Sequence, residues 1–252
     1  MNGKIGLFDS GLGGLSILKE LVKTLPNEDY LFYEDSINNP YGEKSEEELL
    51  KITCNIVDYL LEHNCKIIVI ACNTATTSCM KKLREIYKDV TFVGTVPAIK
   101  VASDNNYKNV INLSTPYTQN SKRVSELIRD FKNDDETIYN ISGENLANLI
   151  ELDKKEEIEK LLNRILGEYK DICDAVVLGC THYSLIKDII NKVLPNAALL
   201  DGCTGVANEV KRRLENSSLL SNKTTKGNIE IVNTKDDLLI KRSMEILKNI
   251  EI

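Results

Sequence analysis

Short apolar runs alternate with longer amphipathic stretches along the whole chain, and this alternation predicts strands and helices in turn. The apolar runs predict strands at residues 4–8, 30–33, 66–71, 90–93, 109–113, 137–141, 174–178 and 227–232. Helical spacing of apolar positions predicts helices at residues 16–25, 45–63, 76–87, 121–131, 153–169, 185–193, 205–214 and 236–247. This order indicates an α/β fold with a mostly parallel sheet.

The strand and helix pattern begins again after Pro97. A chain of 252 residues is longer than one core of average size needs, so one large domain or two modest domains are both open at this point. The helix predicted at 45–63 has a defined start, because Ser45 and Glu48 have the spacing of a capping box. Parallel sheets bind ligands at the carboxyl ends of their strands, which is where site residues are expected.

Each half of the chain contains a buried strand that ends in a cysteine. Cys72 follows the strand at 66–71, and Cys180 follows the strand at 174–178. Hydroxyl or amide residues come next in both places, ahead of a predicted helix. A helix N-terminus presents unpaired N–H groups and partial positive charge, which lower the pKa of a thiol from about 8.5 and can hold a carboxylate.

Two such thiols suit the inversion of a stereocentre. Inversion requires a base on one face of a carbon and an acid on the other, and the two groups exchange roles in the reverse reaction. A single cysteine of this kind is more often a small buried hydrophobe. Two copies in matching positions favour a shared chemical role for Cys72 and Cys180.

Composition removes several other classes of function. The net charge is −6 with acidic and basic residues interspersed, so nucleic acid is not expected as a partner. No apolar run reaches the length of a membrane span, and the start of the chain lacks the apolar stretch of a signal peptide, so we expect a soluble, cytoplasmic protein without membrane contact.

The seven cysteines form no C-x-x-C pair, and the only histidines are His63 and His182. Neither a disulfide framework nor a zinc site is expected from this pattern. The remaining cysteines are interpreted as buried or incidental: Cys54, Cys65, Cys79, Cys173 and Cys203.

Four segments in the same order resemble the motifs of the glutamate racemase family. They are GLFDSGLGGLS at 6–16, NPYG at 39–42, ACNTAT at 71–76 and LGCTHY at 178–183. Together they span most of the chain, which makes the resemblance more specific than any one motif. The resemblance implies two similar α/β domains with the substrate in the cleft between them, and a last segment that returns to the first domain. The implied domains are residues 1–97 plus 207–252, and residues 98–206.

The resemblance also implies roles for individual residues. Cys72 and Cys180 are the implied proton donors and acceptors, with Asp9 and His182 close to them. The implied substrate-binding residues are Asp9, Ser10, Tyr41, Gly42, Asn73, Thr74, Thr181 and His182. Taken alone, each of these residues has an ordinary structural reading as a cap, a turn or a core residue. No cofactor, metal or nucleotide is implied.

The segment STPYT at 114–118 departs from the Gly-Thr stretch that the family usually has there. Thr115 and Thr118 keep hydroxyl groups, whereas Pro116 and Tyr117 change the local backbone. Glu151 corresponds to a family glutamate near the site, although a charge in such a helical segment is usually solvated. Aspartate or a broader set of amino acids therefore stays open as substrate. Related aspartate racemases have Glu in place of His182, which favours glutamate.

Two other functions are open from the residues. A cysteine hydrolase explains Cys180 and His182 but leaves Cys72 without a task. A non-catalytic binding protein explains a ligand crevice but not two matching thiols. The resemblance implies that the product D-glutamate supplies peptidoglycan synthesis, and it leaves a homodimer open.

Overall fold

The computed structural model describes residues 3–249. Residues 1–2 and 250–252, which the first predicted domain includes, lie outside the described residues. The chain divides into two compact units. The first unit comprises the residues up to Thr95 together with those from Cys203 onward, and the second comprises Val96–Gly202.

The first unit is built on a five-stranded parallel sheet. Its strands are β1 (Lys4–Asp9), β2 (Tyr30–Glu34), β3 (Cys65–Ile70), β4 (Phe92–Gly94) and β9 (Ile229–Asn233). Their order in the sheet is β4-β3-β1-β2-β9. The helices of this unit are α1 (Leu15–Thr24), α2 (Glu46–Glu62), α3 (Asn73–Ile86), α10 (Cys203–Asn216) and α11 (Asp237–Asn249).

The second unit is built on a four-stranded parallel sheet. Its strands are β5 (Asn109–Ser114), β6 (Thr137–Ser142), β7 (Ala175–Gly179) and β8 (Ala198–Leu200), in the order β6-β5-β7-β8. The helices of this unit are α4 (Ile99–Asp104), α5 (Pro116–Gln119), α6 (Lys122–Phe131), α7 (Leu146–Glu151), α8 (Lys155–Leu166) and α9 (Lys187–Val193). The predicted α/β fold class with parallel sheets is therefore confirmed.

Burial explains why these segments form strands. The side chains of β3 from Ile67 to Ile70 are almost completely buried, and so are those of β7 from Ala175 to Leu178. Such continuous apolar strands are typical of parallel sheets that are covered on both faces. At the start of α2, the side chain of Ser45 accepts from the backbone N–H of Glu48, and Glu48 accepts in return. The predicted capping box is thus confirmed.

Several element bounds differ from the sequence prediction. Helix α3 begins three residues earlier than predicted, because Cys72 itself is its N-cap residue. The helix predicted at 153–169 ends at Leu166 and continues as a short 3-10 helix, Gly167–Tyr169. The first part of the helix predicted at 185–193 belongs to a 3-10 helix, Thr181–Ile186. Among the described residues, the prediction also missed short elements, which include α4, α5, α7 and β8 and the 3-10 helices Leu12–Gly14, Ser36–Asn38 and Tyr41–Glu43.

Within residues 3–249, no helix combines the length and the apolar character that crossing a bilayer requires.

Candidate active site

Cys72 lies at the carboxyl end of β3, where it becomes the N-cap of α3. Its backbone is extended, with φ −137° and ψ 122°, and its side chain caps no N–H group of the helix. The residue is 6% exposed. The neighbouring strand β1 ends beside it, because Phe8 pairs with Ile70 and the backbone N–H of Ala71 donates to Phe8 O.

Asp9 ends β1 at this same edge of the first sheet and is completely buried. Its carboxylate accepts from the backbone N–H of Ser10 at 2.7 Å and from Ser10 Oγ at 3.4 Å. Ser10 is buried as well. These contacts hold the Asp9 carboxylate at the edge that carries Cys72.

Tyr41 belongs to the same buried cluster as Phe8 and Cys72. Its hydroxyl donates to Asp35 Oδ2 at 2.8 Å. Burial raises the pKa of Tyr41 well above its usual value, and the negative charges of Asp35, Cys72 and Asp9 add to this effect. Tyr41 is therefore a neutral hydrogen-bond donor at neutral pH. Gly42 follows Tyr41 and is exposed.

Asn73 and Thr74 are the first two residues of α3, and both side chains are buried. Within the described part of the chain, Asn73 Oδ1 has no hydrogen-bond partner. Buried polar atoms without partners are rare and often mark a position where a ligand or water binds. The first unit thus places Asp9, Ser10, Tyr41, Asn73 and Thr74 near the strand end that carries Cys72, as the motifs predict.

Cys180 occupies the corresponding position in the second unit. It follows β7 and is the N-cap of the 3-10 helix Thr181–Ile186, with φ −144° and ψ 137°. It is 7% exposed, and its side chain also caps no N–H group. The next residue, Thr181, is buried. The two cysteines therefore share backbone conformation, burial and position relative to a parallel strand.

Cys180 has an imidazole beside it. Cys180 Sγ lies 3.7 Å from His182 Nδ1, and His182 Nε2 lies 2.6 Å from Glu151 Oε1. Because an ionised carboxylate only accepts hydrogen bonds, Nε2 carries the proton in this pair. Glu151 is the last residue of α7, and its side chain is only 13% exposed. The expectation that this charge is solvated is therefore wrong.

The protonation of His182 follows from these contacts. Burial on its own lowers the pKa of His182, since it disfavours the charged imidazole. The hydrogen bonds to Cys180 and Glu151, together with their negative charges, outweigh burial and raise the pKa well above 6.5. His182 is therefore an imidazolium between two acidic groups at neutral pH.

Tyr183 connects this site to the strand β6. It is fully buried, and its hydroxyl donates to Gly143 O at 3.1 Å, just past the end of β6. Burial raises its pKa well above 10, and the charge of Cys180 adds to this. The motif included Tyr183, but sequence reasoning gave it no role.

Thr115 and Thr118 lie at the start of α5, after the carboxyl end of β5. Thr115 is the N-cap and accepts from the backbone N–H of Thr118 at 3.2 Å, and the two hydroxyls are 3.0 Å apart. Pro116 is the first residue of the helix, where its missing N–H costs nothing. The altered backbone predicted for this segment is therefore a short capped helix.

Sequence reasoning missed Asp35, which directly follows β2 and is buried. Its carboxylate accepts from Tyr41, from Asn38 Nδ2 and from Thr234 Oγ1. Its position after a strand end was the signal that could have indicated it.

Four of the other cysteines have environments that disfavour the thiolate. Burial raises the pKa of Cys65 to about 12 and that of Cys173 to about 11. Burial also raises the pKa of Cys54 and of Cys79. Among residues 3–249, no group of three or more His, Cys, Asp or Glu side chains has an arrangement that could hold a metal ion.

A family model and a curated protein of similar sequence both relate the chain to amino-acid racemases. The family model for Asp/Glu/Hydantoin racemase matches residues 16–210. The curated glutamate racemase of Clostridium botulinum (strain Alaska E43 / Type E3) is 39% identical over 258 residues, covering 98% of each chain.

Two crystal structures are similar to the chain over nearly its full length. Glutamate racemase from Francisella tularensis subsp. tularensis SCHU S4, in complex with D-glutamate, has a TM-score of 0.82 at 27% identity and covers 100% of this chain and 95% of its own. Glutamate racemase from Escherichia coli, in complex with L-glutamate and the activator UDP-MurNAc-Ala, has a TM-score of 0.82 at 29% identity and covers 98% of this chain and 95% of its own.

Proposed function

The chain belongs to the Asp/Glu/Hydantoin racemase family, and within this family we propose that it is a glutamate racemase that interconverts L-glutamate and D-glutamate. The relatives described above support glutamate as substrate, since one is in complex with the D form and another with the L form. His182 supports the same choice over aspartate.

The observation that carries this proposal is the matched setting of two cysteines. Cys72 and Cys180 each follow a buried parallel strand, occupy the N-cap position of the next helix and have nearly the same backbone angles. Inversion of one carbon by this route uses a proton carrier on each face, and two carriers of the same kind suit it because each is the base in one direction and the acid in the other. A protein with one nucleophilic thiol has no need for this repetition.

We propose that one cysteine thiolate removes the α-proton of glutamate. The C–H bond breaks, an S–H bond forms, and the electron pair remains on the α-carbon, delocalised into the adjacent carboxylate. The other cysteine then gives its S–H proton to the opposite face of that carbon and becomes a thiolate. No net oxidation or reduction occurs, so this proton exchange requires no cofactor.

The neighbouring groups have supporting tasks in this proposal. His182, held by Glu151, stabilises the thiolate of Cys180 and orients it. Asp9 lies near Cys72 and helps to set the proton affinity of its thiol. The proposed substrate contacts are Ser10, Tyr41, Gly42, Asn73, Thr74 and Thr181. Among these, the unpartnered Oδ1 of Asn73 is suited to accept a hydrogen bond from the substrate ammonium.

We also propose a cellular role for the product. D-glutamate made in the cytoplasm would serve peptidoglycan synthesis, as the family resemblance implies. This part of the proposal concerns supply of a building block and does not alter the chemistry at the two cysteines.

The test is an isotope experiment with the purified chain in heavy water. We expect L-glutamate and D-glutamate each to lose optical rotation and to gain solvent deuterium at the α-carbon. Aspartate at the same concentration is the comparator, and we expect slower loss of rotation with it. Stable rotation of both glutamate enantiomers would contradict the proposal, and faster loss with aspartate would reassign the substrate.

A cysteine hydrolase is the second candidate, because the Cys180–His182–Glu151 arrangement also suits a nucleophilic thiol with an oriented imidazole. Its signature would be the release of ammonia from an amide such as glutamine without deuterium at the α-carbon. The matched setting of Cys72 favours the racemase.

A further inference from the structure

A groove on the second unit lies between α7 and α8 and has a volume of about 360 Å³. Leu149 of α7 and Leu161 of α8 contribute its apolar lining. This volume is within the range of sites that bind small organic molecules, which is roughly 300–1,000 Å³. None of the groups proposed to bind glutamate lines this groove.

Charges of both signs line the groove. Lys160 and Arg164 are one helical turn apart on α8, and Glu144 comes from the loop before α7. Among the residues that the structure describes, these three side chains form no ion pair or hydrogen bond. Glu157 also lines the groove. It forms a long, exposed ion pair of 3.7 Å with Lys154, and exposed ion pairs of this kind contribute little to stability.

This charge pattern determines the class of ligand. Two carboxylates and two cations give the lining no net charge, so neither a dianion nor a dication finds a complementary surface. A small zwitterion does, because its carboxylate can face Lys160 and Arg164 while its ammonium faces Glu144. The leucine side chains favour an organic molecule over a compact hydrated ion.

The groove is joined to the Cys180 site through two hydrogen bonds inside the second unit. Glu144 follows Gly143, whose carbonyl accepts from Tyr183 at 3.1 Å. Leu149 lies two residues before Glu151, which holds His182 at 2.6 Å. Leu149, Cys180 and Tyr183 also belong to one buried cluster. A ligand that fixes α7 therefore fixes the carboxylate that holds His182.

We propose that the groove between α7 and α8 is a regulatory site for a small zwitterion of dipeptide size, whose binding favours the Glu151–His182 contact and raises the rate at Cys180. The proposed effect on the rate rests on the proposed racemase function. The proposed binding of the zwitterion does not, because binding and structural coupling can be measured without turnover. A helix of six residues such as α7 has little stability of its own, so contacts from a ligand have a large relative effect.

The test uses the full-length chain and glycylglycine as the zwitterionic probe. In a titration followed by NMR of 15N-labelled protein, we expect saturable changes at Glu144, Asn145 and Leu149, with further changes at His182 and Tyr183. With glutamate as substrate, we expect kcat to rise about fivefold, which is the low end of usual coupling between sites. N-acetylglycine N-methylamide, which lacks both charges, should produce neither effect.

The variant K160Q/R164Q removes the two cations, and K122Q/R123Q makes the same change in charge on α6, away from the groove. Both should retain the basal rate, and only K160Q/R164Q should lose the response to glycylglycine. Equal responses in the two variants, or no spectral change in the wild type, would overturn the proposal. Changes confined to the groove, without an effect at His182 or on kcat, would overturn its coupling to Cys180. If glycylglycine still changes the NMR signals of His182 but the protein does not racemise glutamate, the result counts against the proposed function and not against the regulatory site.

Discussion

Glu151 Oε1 lies 2.6 Å from His182 Nε2, so a carboxylate and the thiol of Cys180 occupy the two nitrogens of one buried imidazole. Cys72 has a different setting, since the nearby motif residue on its strand edge is the carboxylic acid Asp9. The two proposed proton carriers are thus alike in backbone, and each has a different titratable motif residue nearby, His182 for Cys180 and Asp9 for Cys72. This asymmetry provides the first prediction.

Glu151→Gln should reduce racemisation while leaving the fold intact. The amide can still accept from Nε2, but the charge that raises the pKa of His182 is lost. We expect kcat to fall about 100-fold, the low end for an acid–base contribution. Because the pKa of His182 falls, the alkaline limb of the rate profile should move to lower pH. Rates measured from pH 5 to pH 10 in both directions test this.

Glu159→Gln is the matched control, because Glu159 is an exposed carboxylate on the neighbouring helix α8. It should leave the rate and its pH dependence unchanged. An unaltered pH profile in Glu151→Gln would show that Glu151 does not act through His182.

The pH dependence of stability provides the second prediction. The pKa of His182 is raised in the folded state, so its contribution is fully present below the unfolded value of about 6.5 and is lost as pH rises through the folded pKa. Each tenfold rise in proton affinity contributes about 1.4 kcal/mol. The difference in unfolding free energy between the wild type and His182→Asn should therefore be larger at pH 6 than at pH 10. Urea unfolding at both pH values measures it, and a difference that grows with pH would contradict the assignment.

Long periodic segments were the predictable part of the fold. The buried strands β3 and β7 and the capped helix α2 follow directly from apolar runs and from the Ser45–Glu48 pair. The positions of Cys72 and Cys180 at strand ends were predictable for the same reason. Short elements such as α4 and α7 were missed because six residues contain too little periodicity to distinguish a helix from a loop.

Specific contacts between distant residues were the part of the site that the local sequence did not predict, although the family resemblance placed Glu151 near the site. Glu151 and His182 are 31 positions apart, and only tertiary packing brings α7 against the 3-10 helix that follows Cys180. Local sequence around Glu151 is rich in charge, which favoured a solvated side chain. The hydrogen bond from the Tyr41 hydroxyl to Asp35 joins residues only six positions apart. It nevertheless depends on the loop between β2 and α2, whose conformation the apolar periodicity does not specify.

Close packing at Gly179 provides the third prediction. A Cβ atom there would lie 2.6 Å from Ser114 Cβ and 3.0 Å from the carbonyl oxygen of Leu113, on the neighbouring strand. Gly179→Ala should therefore destabilise the protein by about 1–3 kcal/mol. Gly205→Ala is the matched control in α10, where a Cβ would have no atom within 4 Å, and it should stabilise by about 0.5–1 kcal/mol. Chemical denaturation should show changes of opposite sign in the unfolding free energy of the two variants. Equal changes would contradict the close packing at Gly179.

Exchange of the α-proton in Cys72→Ala and Cys180→Ala tests the two-carrier mechanism most directly. Each variant is incubated in heavy water with pure L-glutamate and pure D-glutamate, and deuterium and configuration at the α-carbon are followed by NMR and chiral analysis. Cys173→Ala is the control, as a buried cysteine whose pKa is raised to about 11, and it should racemise at the wild-type rate.

The account predicts that neither active-site variant inverts glutamate, and that the cysteine remaining in each exchanges the α-proton of one enantiomer, a different one in the two variants. Racemisation at the wild-type rate by either variant, or exchange of the same enantiomer by both, would contradict it.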